Sequence, residues 1–82
     1  MADELLGNRL KQWRAAKNLT QAQLAEFIGV SRKTINTVEN GVFIPSVLLA
    51  LKLARAFGTS AESLFFLIPE KGIRSTRTNP AA

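Results

Sequence analysis

A twenty-residue stretch, Gln21 to Asn40 (QAQLAEFIGVSRKTINTVEN), limits the folds open to this chain more than any other. It predicts two short helices joined by a tight turn. Ala25 falls midway along the first, and so small a residue lets two helices cross steeply at close range. Gly29 ends that helix, where a sharp reversal of the chain needs a residue tolerant of positive φ. Ile35 and Val38 fall at i and i+3 on the inner side of the second helix. Its outer side carries Ser31, Arg32, Lys33, Thr34 and Thr37, all polar.

The flanking sequence supplies what such a pair needs to pack against. Leu6, Leu10 and Trp13 recur at i, i+4 and i+7, which predicts a first helix over Leu5–Lys17 after a frayed entry at Met1–Glu4. Asn18 suits a left-handed helix end, and Leu19 plugs the junction. Thr20-Gln-Ala-Gln23 is a capping box opening the second helix, with Leu24, Ala25 and Ile28 as its inner face. Ser31 caps a third helix over Arg32–Glu39, which Asn40-Gly41 stops. Pro45 forbids helix just before it. Ser46 caps a fourth helix over Val47–Phe57, with Ala50, Leu51, Ala54 and Phe57 on one side and Gly58 at its end. Thr59 or Ser60 caps a fifth helix through Leu67, which Pro69 ends. No alternating strand pattern of convincing length is present. Residues 1–71 read as one domain and 72–82, GIRSTRTNPAA, as a flexible basic tail.

Composition narrows the function. At 82 residues with 46 % hydrophobic content, one small domain is expected, marginal alone and helped by dimerisation. Cysteine, histidine and tyrosine are all absent, and no carboxylates pair at a useful spacing. Neither a metal site, a cofactor, a small-molecule ligand nor an enzyme is expected. The longest apolar runs, Val47–Leu51 and Leu64–Ile68, are five residues, against about 20 for a bilayer span. MADELLGN lacks the order of a signal peptide, so a cytoplasmic protein without membrane contact is expected. The net charge of +5 suits a polyanion. A short helix with one buried side and a basic, hydrogen-bonding outer side is a candidate for reading a DNA groove.

The run LTQAQLAEFIGVSRKTINTVENG, with NRLKQWRAAKN before it and the PS…LALKLARAFG…SAESLF pattern after it, resembles the phage-repressor and Cro type of helix-turn-helix domain. The likeness spans about Asn8 to Phe65. It implies an all-α, five-helix lambda-repressor-like fold whose helices 2 and 3 form the helix-turn-helix. It also implies a transcriptional regulator, here read as a repressor, that binds a palindromic double-stranded operator as a homodimer. Small domains of this family also serve as antitoxins or as partners of other regulators, so a protein-interaction module is the alternative.

The resemblance places Arg32 and Lys33 at the base-reading end of the third helix, and either can donate to guanine O6 and N7. Thr34 can offer a base edge its hydroxyl or methyl, or simply support the cap. Thr37 is a further base or backbone contact, while Asn36 falls on the flank. Gln21 opens the second helix, where free N–H groups seat a phosphate; Ser31, Asn40 and the Gly41–Phe43 backbone are the other phosphate candidates. Arg14 and Glu39, by resemblance, form a brace that sets the angle of the third helix. Trp13 is a core residue. Phe66, Leu67 and Ile68, with Leu48, form the expected dimer interface, because the LFFLI run is too apolar for a free helix end. Phe27 is a single exposed apolar residue, and Arg74 and Arg77 sit in the tail.

Overall fold

The structure, a computed structural model, describes residues 5–69; the expected frayed entry and the 72–82 tail, with Arg74 and Arg77, lie outside them. The described residues form five helices: α1 (Leu10–Ala16), α2 (Gln21–Ile28), α3 (Arg32–Glu39), α4 (Val47–Phe57) and α5 (Ala61–Leu64). Two four-residue strands, β1 (Leu5–Asn8) and β2 (Phe65–Ile68), pair antiparallel at the ends of the described chain.

Local chemistry sets most helix ends. Thr20 Oγ1 accepts from the Gln23 amide at 3.0 Å while Gln23 Oε1 accepts from the Thr20 amide at 2.9 Å, a complete capping box. Ser31, Ser46 and Ser60 each accept from the backbone N–H three residues on. Gly29 closes α2 at φ 81°, a conformation that costs a side-chain-bearing residue energy. Asn18 takes φ 58° after α1, and Gly58 closes α4. Asn40 departs from expectation: it stays at φ −89°, and the left-handed turn falls on Gly41 alone.

The core draws on every helix, with four of its residues from α4. Leu10, Leu24, Ile35, Leu53 and Leu64 are fully buried, and Ala25, Val38, Leu49, Ala54 and Phe57 nearly so. Trp13 packs at the edge of this cluster, its ring centroid 5.9 Å from that of Phe57. Ala25 is buried on α2, which packs against α3. In α4 the inner face differs from the expected one. Leu49 and Leu53 point inward with Ala54 and Phe57, whereas Leu51 is exposed. The expected stripe was rotated, because both sides of VLLALKLARAF carry leucine and only the core decides between them.

The strands correct the expected first and fifth helices. α1 begins at Leu10 rather than Leu5, and α5 stops at Leu64 rather than Leu67. Leu5 pairs with Ile68, Leu6 with Leu67, Gly7 with Phe66 and Asn8 with Phe65. Gly7 is a poor helix residue, and Phe65, Phe66 and Ile68 favour a pleated surface. The ribbon joins the helical core through the Arg9 amide, which donates to Leu64 O at 2.8 Å. Gly7 is buried, and a Cβ there would collide with the Phe66 ring and the Ile68 side chain. The Arg9 guanidinium lies 4.2 Å from the Phe66 ring centroid.

Candidate nucleic-acid interface

α2 and α3 present one polar face, held from behind by a largely buried ion pair. Arg14 Nε donates to Glu39 Oε2 at 2.6 Å and Arg14 Nη2 to Glu39 Oε1 at 3.1 Å, a bidentate contact. The Glu39 side chain is only 5 % exposed and that of Arg14 15 %. Arg14 Nη1 also donates to Leu19 O at 2.8 Å, tying the α1–α2 junction to the end of α3. Hydrogen bonding to Glu39 raises the Arg14 pKa above its ordinary value; burial opposes this and the carboxylate's charge adds to it.

A second clamp on α3 comes from Asn8, which sequence reasoning did not single out. Its Nδ2 donates to Val38 O at 3.0 Å and to Glu39 O at 3.3 Å, two carbonyls of the last turn of α3, the first of which also accepts from the Gly41 amide. Its Oδ1 accepts from the Leu10 amide at 3.1 Å, at the start of α1. Asn8 thus joins β1, α1 and α3. Its hold on α3 runs to backbone atoms some thirty residues away, and such a contact leaves no sequence signal.

On the outer face, Arg32 and Lys33 are exposed, and no ion pair or side-chain hydrogen bond engages either among the described residues. Thr34 Oγ1 lies 2.9 Å from Ser31 Oγ, so both hydroxyls serve the cap of α3. Thr37 Oγ1 donates back to Lys33 O and Thr34 O, each at 3.0 Å. Its hydroxyl proton is therefore used inside the helix, and what Thr37 offers outward is its methyl and an acceptor. Val42 and Phe43, after α3, close one side of a shallow depression against Ser31, Lys33, Thr34 and Thr37. The backbone amides of Gly41, Val42 and Phe43, expected to face phosphate, instead donate to Val38 O and Thr37 O.

Gln21, the first residue of α2, is half-buried. Its Nε2 donates to Glu39 Oε1 at 3.0 Å, and its Oε1 accepts from Asn36 Nδ2 at 3.3 Å. Asn40 Nδ2 donates to Asn36 Oδ1 at 3.3 Å. Gln21, Ser31, Arg32, Lys33, Thr34, Thr37 and Asn40 thus all belong to α2, α3 and their ends, while the expected dimer residues divide. Leu67 and Ile68 are exposed on the ribbon beside Leu5, but Phe66 is half-buried across Gly7. Leu48 is exposed on α4, near Phe43 and Lys52 rather than the ribbon.

A capped helix, a left-handed glycine turn and a second helix with a free basic face, all braced on a small helical core, define a helix-turn-helix domain of the lambda-repressor type. The comparisons agree. A helix-turn-helix family model matches residues 10–64, and the chain belongs to this Cro/C1-type helix-turn-helix family of DNA-binding transcriptional regulators, which are not enzymes. An uncharacterised HTH-type transcriptional regulator of Methanocaldococcus jannaschii is 50 % identical over 58 residues, covering 71 % of this chain and 88 % of its own. The regulator YgzD of Bacillus subtilis is 41 % identical over 63 residues, covering 77 % and 96 %. Among solved structures, the restriction-modification controller protein C.AhdI of Aeromonas hydrophila superposes with a TM-score of 0.63 at 35 % identity, over 66 % of this chain and 82 % of that one. Among the described residues, no helix is long and apolar enough to cross a membrane, and no cluster of metal-ligating side chains forms.

Proposed function

We propose that the chain represses transcription as a homodimer on a palindromic operator, reading bases with Arg32, Lys33, Thr34 and Thr37 and gripping phosphates with Gln21, Ser31 and Asn40. The observation that carries this reading is the pair Arg32 and Lys33, exposed and unengaged among the described residues, at the start of a helix whose other end is clamped by Arg14 and Asn8. Cations with no partner among the described residues can turn toward guanine and phosphate without breaking a bond. Thr34 and Thr37, their hydroxyls already bonded, contribute methyl contacts, of which thymine is the natural recipient. The exposed Leu5, Leu67 and Ile68 side chains support a two-fold contact through the ribbon. A dimer of this kind sets two recognition helices about 34 Å apart, on half-sites roughly 10 base pairs centre to centre.

Selecting bound duplexes from a random library tests the reading. A palindromic consensus is expected, with affinity that falls steeply as salt rises. Arg32→Ala should relax one base position in each half-site; an unchanged consensus would remove Arg32 from the reading set. A second reading draws on Val42, Ile44, Val47, Leu48 and Leu51, all exposed along the α3–α4 loop and α4. Such a surface suits a protein-interaction module. That reading prevails if the purified chain binds no duplex even at low salt.

A further inference from the structure

Asn36 lies one helical turn beyond Arg32, and none of the roles above uses it. Its amide sits in a row of polar groups whose direction is fixed from one end. A carboxylate accepts and cannot donate. The atom that Gln21 turns toward Glu39 Oε1, at 3.0 Å, is therefore its Nε2. Gln21 Oε1 must then face Asn36, which answers with Nδ2 at 3.3 Å. Asn36 Oδ1 faces the other way and accepts from Asn40 Nδ2 at 3.3 Å. Glu39 itself cannot swing, because Arg14 holds both its oxygens. A side-chain amide carries two hydrogens and two acceptor lone pairs. Asn36 uses one of each, so one donor and one acceptor remain. In the major groove only adenine offers the complement on one base, an N7 acceptor beside an N6 donor.

We propose that Asn36 is a specificity-determining residue that pairs with adenine, and that Glu39, acting through Gln21, orients it. This rests on the DNA-reading role of α3 and adds to it a second kind of base contact, set by amide polarity rather than by charge. Gln21 then has two duties, since its remaining Nε2 hydrogen is free for a phosphate while its oxygen positions Asn36.

The test selects duplexes from a random library with the full chain, in wild-type form and as Asn36→Ala, Asn36→Asp and Gln21→Ala, each checked for a folded circular dichroism spectrum. The wild-type consensus should contain an adenine in each half-site whose preference Asn36→Ala lowers by about 5- to 100-fold, other positions holding. Asn36→Asp, which can only accept, should shift that position to cytosine, whose N4 donates. Gln21→Ala should weaken every sequence and also lower the same adenine preference. Uniform loss of affinity with an unchanged consensus in Asn36→Ala and Asn36→Asp overturns the proposal. An adenine preference untouched by Gln21→Ala overturns the orienting part of it. A wild-type chain that enriches no sequence overturns the reading of α3 itself, and that failure shows before any substitution is made.

Discussion

Glu39 occupies the most demanding position of any charged side chain described here. It is almost fully buried at the end of α3 and takes hydrogen bonds from Arg14 Nε, Arg14 Nη2 and Gln21 Nε2. Its worth lies in what happens when a partner leaves. Arg14→Met would strand the carboxylate with one side-chain donor, and breaking a buried pair in this way costs about 3–5 kcal/mol. Urea unfolding should show a loss of that order, while Lys11→Met, on an exposed residue of the same helix, should change stability by no more than about 0.5 kcal/mol. The raised Arg14 pKa gives the sign of any pH effect. A group whose folded value is raised keeps its stabilisation at every pH below its ordinary value. On the arginine side, the pair should therefore hold across the neutral and mildly alkaline range, and unfolding between about pH 7 and 9 should show no loss traceable to it. The pair was legible only through the family resemblance, since neither residue carries a local signal of its partner. Asn8 and Asn36 have no such help, because their partners are backbone atoms and amides that no local pattern announces.

At the scale of elements, the ribbon makes the sharpest prediction. Replacing glycine by alanine at a compatible site stabilises a protein by about 0.4–1 kcal/mol through the unfolded chain. Gly7→Ala should do the reverse and destabilise by about 1–3 kcal/mol, because its methyl meets the Phe66 ring and Ile68. The double variant Gly7→Ala/Phe66→Leu should recover part of that loss in a thermal melt, and strict additivity would contradict the contact. The strands also show where sequence reading stops. Caps at Thr20, Ser31 and Ser46 and the turn at Gly29 were all legible, since each depends on residues within one turn. LLGN and FFLI are only four residues each and are apolar on both faces. Their period cannot separate strand from helix, and the partner that decides lies at the far end of the domain. The same two-sided apolarity hid the inner face of α4, where Leu51 competes with Leu49 and Leu53.

For the whole molecule, the question is which exposed apolar surface is covered in solution. With the ribbon as the two-fold contact, light scattering at micromolar concentration should give about twice the 9.0 kDa chain mass. The double substitution Leu67→Asp/Ile68→Asp should return it to one chain, while Leu48→Asp, away from the ribbon, should leave the dimer intact. A wild-type monomer would end the ribbon assignment. Phe66, one of the residues expected in the dimer contact, packs largely against its own chain, with Gly7 and Arg9 as neighbours.

The pairing of β1 with β2 also sets an order of events in synthesis. α2 and α3 are neighbours along the chain and can pack as soon as both have left the ribosome. β1 emerges before them but must wait for β2, which follows every helix. Bringing together segments so far apart costs entropy that rises only with the logarithm of the intervening length. Closure is therefore late without being prohibitive. Asn8, carried on β1, bonds through its side chain only to α1 and α3, so its hold on Val38 and Glu39 does not require the ribbon to have closed.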